Sequence, residues 1–314
     1  MHIVTGGAGF IGSNLLRKLI ETTGDDVIVV DDLRDGRKFA NIADLDIADY
    51  LDKDEFLECL STGRRFGTGV KSLLHQGACS VTTEWDGRYM MENNFTYSKK
   101  LLHHCLGHDI PFIYASSAAV YGGARQFHED PANEVPLNVY GYSKLAFDRY
   151  VRRMSRKSGQ QLVGLRYFNV YGPCEQHKGS MASVAFHFNR QLVDDDEVRL
   201  FKGSGGYGDG EQRRDFVFVD DVCAVNLWFL NNRRVSGIFN VGTGRAQSFN
   251  EVADAVIAWH GRGRKRYVPF PEELARSYQS FTEADLTRLR EAGCDVTFRT
   301  VESGVRDYLD LLAS

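Results

Sequence analysis

The 314-residue sequence contains only six cysteines, and they lie far apart along the chain. No two of them form a C-x-x-C pair, and none has a histidine nearby at zinc-finger spacing, so neither a structural metal site nor a disulfide scaffold is expected. The sequence also lacks an apolar run near the ~20 residues that span a bilayer. We therefore expect a soluble protein with free thiols, as in a reducing cytoplasm.

Neither sign of charge is in large excess. Lys and Arg number 38 against 42 Asp and Glu, which gives a formal net charge of −4. Such a chain has no overall positive field to attract nucleic acid or an anionic membrane, so neither class of partner is expected. The first residues carry no basic segment followed by a long apolar run, so no export signal is expected.

Short β-branched runs alternate with longer amphipathic segments through the first half of the chain. Strands are predicted at residues 3–5, 27–31, 70–75, 111–116 and 162–168, with helices in the gaps. This alternation indicates an α/β protein with a Rossmann-type doubly wound parallel sheet and a smaller, mostly C-terminal substrate-binding domain.

The second half of the chain is less regular. After Pro173 the pattern loosens into a polar section in which residues 203–210 include five glycines, which predicts a loop. The acidic run 194–197 and the basic run 262–266 are predicted to be solvated surface.

A glycine motif, G-x-x-G-x-x-G, joins the first predicted strand to the first predicted helix at Gly6, Gly9 and Gly12. Glycines there let the backbone approach a pyrophosphate, whose charge then lies at the positive end of the helix. Asp31 follows Gly12 by 19 positions at the end of the second strand, near the expected spacing for a ribose ligand. Together these features predict a dinucleotide site.

These residues alone do not decide whether the dinucleotide is NAD or NADP. Asp31 would bind a free 2′-hydroxyl and repel a 2′-phosphate, which favours NAD. Arg34, Arg37 and Lys38 follow in one short segment, and such a cluster could hold the extra phosphate of NADP. A solvated surface loop explains the cluster equally well.

Tyr140 and Lys144 form a Y-x-x-x-K pair, which a helix places on one face, one turn apart. The Lys144 ammonium is expected to lower the pKa of the phenol, so that Tyr140 can act as a general base on a sugar hydroxyl. Ser117 ends the fourth predicted strand and could bond the same substrate oxygen. The alternative for Ser117 is a helix or turn cap.

Four segments together resemble the extended short-chain dehydrogenase/reductases that act on nucleotide sugars: residues 6–12, 116–122, 140–144 and 166–173. Two further segments, residues 75–86 and 177–187, are similar to those of the ADP-L-glycero-D-manno-heptose 6-epimerase family. The resemblance covers nearly the whole chain. It implies an NADP-preferring enzyme of lipopolysaccharide precursor synthesis that epimerises ADP-manno-heptose at C6″ and forms a homo-oligomer, commonly a pentamer.

The resemblance also implies residue roles. The catalytic residues would be Tyr140, Lys178, Lys144 and Ser117. The residues that contact the cofactor would be Gly6, Gly9, Phe10, Ile11, Gly12, Asp31, Asp32, Lys38, Lys53, Gln76, Gly77, Ala78, Cys79, Ser80, Asn93, Lys144, Val170 and Lys178. The residues that contact the sugar nucleotide would be Asn169, Ser180, His187, Phe201, Lys202, Gly203, Ser204, Arg214 and Tyr278. We expect residues 1–169 to form the NADP-binding domain, with about 215–242 folding back onto it, and residues 170–214 plus 243–314 to form the substrate domain.

Two positions depart from the family pattern. Asp32 stands where Asn is expected, which adds negative charge beside the ribose, and the glycine-rich segment before Arg213 is several residues longer than usual. For His187, between Phe186 and Phe188, a partly buried structural histidine is the alternative to a substrate contact.

Three other functions are weighed against epimerisation of ADP-heptose. A nucleotide-sugar dehydratase needs an added acid and base, and Ala118 and Ala119 stand where dehydratases carry Asp and Glu. A UDP-hexose 4-epimerase is the closer alternative. A catalytically inactive NADP-sensing regulator would not need Tyr140, Lys144 and Ser117, all of which are present.

Overall fold

A computed structural model describes residues 1–63, 69–271 and 279–313. In chain order the strands are β1 (His2–Thr5), β2 (Val27–Asp31), β3 (Asp49–Asp52), β4 (Ser72–His75), β5 (Phe112–Ser117), β6 (Leu162–Tyr167), β7 (Asn169–Tyr171), β8 (Glu197–Phe201), β9 (Arg213–Phe218), β10 (Gly237–Val241), β11 (Ala246–Ser248) and β12 (Arg264–Val268). The α-helices are α1 (Phe10–Thr23), α2 (Lys53–Ser61), α3 (Gly87–Met91), α4 (Tyr97–His108), α5 (Val139–Ser155), α6 (Val184–Asp194), α7 (Val219–Asn231), α8 (Phe249–His260), α9 (Thr287–Glu291) and α10 (Val301–Ala313).

The main sheet has seven parallel strands in the order β10-β6-β5-β4-β1-β2-β3. The chain builds outward from β1 in one direction through β2 and β3, and then in the other direction from β4 onward. The order therefore reverses between β1 and β4, where Thr5 lies beside His75. In open parallel sheets, ligands bind in the crevice at this switch point, beyond the carboxyl ends of the strands.

Both faces of this sheet are buried, which explains why its strands are continuous apolar runs. In β2, Val27 and Val29 belong to one core cluster and Ile28 and Val30 to the other, as the alternation of a strand requires. Helices α1 and α7 cover the first face, while α2, α4 and α5 cover the second. The expected doubly wound α/β class is confirmed, and the ends of the five predicted strands differ from the observed ones by at most two residues.

The region after Pro173 is more regular than predicted. It contains α6, α7 and α8, the strand pair β12-β8, and strands β9 and β11, which form a small sheet in the order β11-β9-β7 with the strand just before Pro173. Strand β10 returns to the main sheet beside β6. The division of the chain into two domains stays a prediction.

The acidic and basic runs predicted as separate solvated surfaces contact each other. They lie on and beside the parallel strands β8 and β12, where Glu197 accepts hydrogen bonds from Arg264 at 2.7 Å and Arg266 at 3.0 Å. Both runs remain on the surface, so these ion pairs set strand pairing more than stability.

A buried charge network joins β5, β6 and α5. Asp148 accepts hydrogen bonds from Tyr114 Oη at 2.8 Å, Ser116 Oγ at 3.0 Å and Arg166 Nε at 2.9 Å. Arg166 also pairs with Glu134 at 2.5 Å, and its side chain is fully buried. Burial acts to raise the pKa of Glu134, but Arg152 and Arg166 outweigh this effect and lower it.

No described helix has the length and apolar character to cross a membrane. All six cysteines lie in the described part of the chain as free thiols. The same residues include no cluster of three or more His, Cys, Asp or Glu side chains suited to a metal ion.

We expect Arg166→Met to lower the free energy of unfolding by about 3–5 kcal/mol, because Asp148 would be left buried without its arginine and Glu134 would keep only Arg152 and the more distant Arg149 as partners. Arg149→Met is the matched control, since Arg149 contacts the same Glu134 at 3.5 Å but is half exposed. The control should cost less than about 1 kcal/mol. Urea unfolding followed by circular dichroism measures both, and equal losses would contradict a dominant role for the buried pair.

Candidate active site at the sheet switch point

A cleft of about 900 Å³ opens beyond the carboxyl ends of β1, β2, β4, β5 and β6. Its walls come from the turns that follow these strands and from the first turn of α5. The second half of the chain closes the other side through residues near the ends of β8 and β9 and the start of α8. The cleft is therefore built from distant segments that only the fold brings together.

The glycine turn forms the floor of the cleft between β1 and α1. Gly6 has φ of +66°, and a Cβ there would lie 2.5 Å from the nitrogen of Gly77. At Gly12 a Cβ would lie 2.0 Å from the carbonyl oxygen of Gly6. These contacts explain the glycines, since α1 can start close to β1 and β4 only where side chains are absent.

The N-terminus of α1 faces this cleft without a side-chain cap from the described residues. Gly9 is the N-cap residue, and the first turn carries no acidic side chain. The positive end of the helix and its first amide groups are thus directed toward bound anions.

Asp31 ends β2 beside the glycine turn, and its role as a ribose ligand stays a prediction. The buried carboxylate accepts a hydrogen bond from the amide of Ala8 at 2.9 Å and one from Lys38 Nζ at 2.5 Å. This fixes Asp31 between the glycine turn and the segment after β2. Burial acts to lower the pKa of Lys38, and Asp31 and Asp32 raise it above its ordinary value.

Asp32 bridges two lysines. Its carboxylate oxygens lie 3.3 Å from Lys38 Nζ and 3.3 Å from Lys53 Nζ. Lys53 also donates a hydrogen bond to Asn93 at 3.0 Å. The negative charge that the sequence adds at Asp32 is therefore compensated within the site.

The cationic cluster after β2 is only partly directed at the cleft. Arg37 forms a bidentate pair with Asp35 at 2.8 and 2.7 Å, and its side chain is mostly exposed. The Arg37 guanidinium holds the pKa of Asp35 at about 2. Of the three predicted cations, only Lys38 lies on the cleft wall.

Ser117, Tyr140 and Lys144 come together on one side of the cleft, as predicted. Helix α5 carries the last two one turn apart, and its N-terminus is capped by Asn138, which accepts from the Gly141 amide at 2.8 Å. Ser117 lies close enough to the Tyr140 phenol to act on its pKa, which it lowers against the effect of burial. Ser117 Oγ also accepts from the Ala119 amide at 3.1 Å, so the capping alternative holds alongside the contact with tyrosine.

The expected effect of Lys144 on the phenol is wrong for this structure. Burial raises the pKa of Tyr140, with Ser117 acting in the opposite direction. Lys144 is itself buried and donates to the carbonyl oxygen of Ala115 at 2.8 Å, and burial lowers its pKa to about 8. For the pKa of Tyr140, the burial of the phenol outweighs the charge of Lys144, on which the prediction from the sequence depended.

Lys178 reaches the cleft from a different element, the 3₁₀ segment Gln176–Met181. Its Nζ lies 5.0 Å from the ring centroid of Phe10, and burial lowers its pKa. The base of this segment is tied down by the buried Glu175, which accepts from the amide and the hydroxyl of Ser183 at 2.6 Å each.

The far end of the cleft combines aromatic rings with one arginine. Arg214 is nearly buried and lies 6.0 Å from the ring centroid of Phe249. Phe216 packs edge-on against Phe249, and Phe201 packs against Phe270 in the same way. Flat apolar surfaces beside a guanidinium suit a base and a pyrophosphate.

Most of the predicted site residues line this one cleft. They are Gly6, Gly9, Phe10, Ile11, Gly12, Asp31, Asp32, Lys38, Lys53, Gln76, Gly77, Ala78, Cys79, Ser80, Asn93, Ser117, Tyr140, Lys144, Asn169, Val170, Lys178, Phe201 and Arg214. The cleft wall does not include Ser180, His187, Lys202, Gly203 or Ser204. Tyr278 lies outside the described residues.

Sequence reasoning missed several residues of the wall. They include Thr5, Val30, Asp35, Val81, Thr82, Tyr89, Tyr97, His177, Met181, Ser183, Phe249, Gln279 and Thr282. Asn94, beneath the wall, was also missed. Its side-chain amide exchanges two hydrogen bonds with the backbone of Cys79 and donates to Ser143 Oγ. Asn93 and Asn94 are adjacent in a π-helical turn, which directs their side chains to different places. The presence of two neighbouring asparagines was the signal in the sequence that could have identified Asn94.

The residues present fit a nicotinamide dinucleotide. The uncapped α1 terminus and the closely packed glycines suit a pyrophosphate, and the fixed Asp31 carboxylate suits a ribose hydroxyl. The loop after β4 lies against the glycine turn, where Gln76 accepts a hydrogen bond from Tyr167 at 3.1 Å. The cleft then continues to Tyr140, so a dinucleotide and a sugar nucleotide can meet beside the phenol.

Comparison with known proteins gives a consistent picture. A sequence model of the NAD dependent epimerase/dehydratase family matches residues 2–242. A curated ADP-L-glycero-D-manno-heptose-6-epimerase from Alkalilimnicola ehrlichii is 60% identical over 313 residues, which cover 100% of this chain and 98% of that protein.

Solved structures share the entire fold. The ADP-L-glycero-D-manno-heptose-6-epimerase of Helicobacter pylori is 32% identical, with a TM-score of 0.86 over 100% of this chain and 96% of that one. The UDP-glucose 4-epimerase of Thermus thermophilus, solved as a complex with NAD, is 28% identical, with a TM-score of 0.81 over 100% and 99% of the two chains.

Proposed function

This chain belongs to the NAD dependent epimerase/dehydratase family, and from that premise we propose that it interconverts ADP-D-glycero- and ADP-L-glycero-β-D-manno-heptose at C6″. The observation that carries the proposal is the meeting of Ser117, Tyr140 and Lys178 in one cleft with a dinucleotide cradle. The relative with 60% identity over the full chain supports the choice of sugar. A bound nicotinamide would take a hydride from C6″ and return it.

The chain's own residues supply proton transfer and orientation. Tyr140 is positioned to exchange a proton with the substrate oxygen at the oxidised carbon, and the Ser117 hydroxyl on the same wall can donate a hydrogen bond to that oxygen. Lys144, fixed on the carbonyl of Ala115, lines the same side of the cleft one helical turn from Tyr140. Ala118 and Ala119 offer no second acid or base there, which supports epimerisation over elimination of water.

Inversion at C6″ requires that a hydride leaves one face of the carbon and returns to the other. The substrate oxygen therefore ends in a different place for each epimer, and one phenol cannot serve both positions. Lys178 is the second acid or base in this proposal, because it enters the cleft from another element and burial lowers its pKa below the ordinary value of a lysine.

The proposed cofactor is NADP rather than NAD. Lys38 lies beside Asp31 and Lys53 beside Asp32, where a 2′-phosphate would be held, and Arg34 is 4.0 Å from Asp32 at the rim. Cations at this position are the general means of accepting the extra phosphate.

The proposal also covers the location of the enzyme in the cell and its oligomeric state. The proposed product serves lipopolysaccharide core synthesis in the cytoplasm, as the family resemblance implies, and the same resemblance suggests a homo-oligomer such as a pentamer. Sedimentation of the purified protein would decide the oligomeric state.

Two alternatives define the controls. A UDP-hexose 4-epimerase shares the fold, as the Thermus thermophilus enzyme illustrates. A catalytically inactive NADP-sensing regulator would bind cofactor without turnover.

We expect the purified protein to convert either ADP-heptose epimer into a mixture of both without net reduction of cofactor, since the hydride is returned. Product chromatography and absorbance at 340 nm measure the two quantities. UDP-glucose is the matched substrate control and should not react. Turnover of UDP-glucose alone would favour the 4-epimerase, reduced cofactor in proportion to product would indicate a dehydrogenase, and no turnover of either sugar would favour the regulator.

Tyr140→Phe and Lys178→Met should each reduce the rate of epimerisation by ~10²–10⁴-fold, the range of a general acid or base, while ADP-sugar still binds. Initial rates in both directions and calorimetric binding measure this. Tyr142→Phe and Lys157→Met are matched controls at exposed positions and should keep the parent rate. If Lys178→Met lost only substrate affinity, Tyr140 would act alone and the two-base mechanism would be wrong.

Lys38→Ala should weaken NADP binding by ~1.5–3 kcal/mol and leave NAD nearly unchanged, because only the 2′-phosphate forms a charged hydrogen bond with the lysine. Titration of the cofactor-free protein measures both affinities. Arg37→Ala is the control, since Arg37 is committed to Asp35. Equal losses for the two cofactors would remove Lys38 from the phosphate site.

A further inference from the structure

The carboxylate of Asp32 occupies the two lysines on which recognition of a 2′-phosphate depends. Its Oδ1 lies 3.3 Å from Lys38 Nζ and its Oδ2 3.3 Å from Lys53 Nζ, and its carbonyl oxygen accepts from Lys38 at 2.9 Å. The two lysines come from separate segments, the turn after β2 and the first residue of α2. Asp32 is therefore the group that ties these segments together.

Asp31 does not have this role. Its oxygens accept from the Ala8 amide at 2.9 Å and from Lys38 at 2.5 Å, so Asp31 shares Lys38 with Asp32, whereas Lys53 contacts Asp32 in the described part of the chain. A free 2′-hydroxyl can bond to Asp31 and leave the Asp32 bridge intact. A 2′-phosphate must instead draw lysine contacts away from Asp32 and lie close to a carboxylate that has lost part of its compensation.

We propose that Asp32 sets the ratio of NADP to NAD affinity by competing with the 2′-phosphate for Lys38 and Lys53. This inference rests on the proposed function, since it requires that the cleft binds a nicotinamide dinucleotide. Asp32 acts as a specificity-determining residue: it limits, without abolishing, the preference for the phosphorylated cofactor.

Asp35 provides a matched control of equal charge on the same cleft wall. Its carboxylate is bonded to Arg37 and touches neither lysine of the Asp32 bridge in the described contacts. A general gain of positive potential would affect both positions alike, whereas competition for the lysines is specific to Asp32.

The experiment measures dissociation constants of NADP and NAD for cofactor-free parent, Asp32→Asn and Asp35→Asn at one stated salt concentration. Asp32→Asn should tighten NADP about tenfold, the scale of one charged contact, and change NAD less than about twofold. Asp35→Asn should change either affinity less than about threefold. Equal changes for both cofactors in Asp32→Asn, or the same gain in Asp35→Asn, would overturn the proposal.

Two further variants test the same competition without relying on Asp32→Asn alone. Asp32→Ser keeps a small polar group at this partly exposed position and should repeat the gain for NADP. Lys53→Met should weaken NADP more than NAD, and Asp32→Asn added to it should give a smaller gain than in the parent, because one of the contested lysines is gone. Additive effects, or an equal loss of both cofactors in Lys53→Met, would overturn the proposal.

Failure of the proposed function has a different signature. A parent that binds neither dinucleotide contradicts the dinucleotide site itself, and with it both proposals. A parent that binds both, with an NADP to NAD ratio that Asp32→Asn leaves unchanged, contradicts only the role of Asp32.

Discussion

The buried contact of Asp148 with Arg166 is the constraint on which the catalytic corner depends. Asp148 lies one helical turn after Lys144 on α5 and binds residues of both β5 and β6. The helix that carries Tyr140 is thereby fixed against the strand that ends in Ser117. Because unpaired charges in this core would be costly, the network allows one position of α5 and so sets the approach of phenol to hydroxyl.

The sequence was sufficient to predict the central sheet and the residues that follow its strands. Continuous apolar runs identify strands buried on both faces, and parallel strands bring their carboxyl ends to one edge. Gly6, Asp31 and Ser117 each follow or end such a strand, so their meeting in one cleft followed from topology alone. The segments from β7 onward were harder, because short strands such as β7 and β11 carry too few residues to show a period.

Electrostatic detail could not be predicted in the same way. Arg37 and Lys38 are neighbours in sequence, yet the first pairs with Asp35 at the surface and the second with Asp31 inside the cleft. The pKa of Tyr140 depends on how much water reaches the phenol, which a one-turn spacing to Lys144 does not reveal. The partners and the burial of a side chain depend on the folded structure. The residue type alone does not determine them.

The cleft wall has two kinds of support. Most of it belongs to the central sheet and its helices, and one part belongs to the 3₁₀ segment Gln176–Met181. The glycine turn and the Arg214 end would hold the two nucleotide portions, while Ser117 and Tyr140 lie on elements fixed by buried charges. Lys178 instead belongs to the 3₁₀ segment whose Gly179 has φ of +56° and whose base is held by Glu175. In the proposed mechanism the sugar turns between two half-steps, so its oxygen needs a proton partner in each of two positions. Tyr140 on α5 and Lys178 on the 3₁₀ segment enter the cleft from two different elements, which allows each to meet the oxygen in one of these positions.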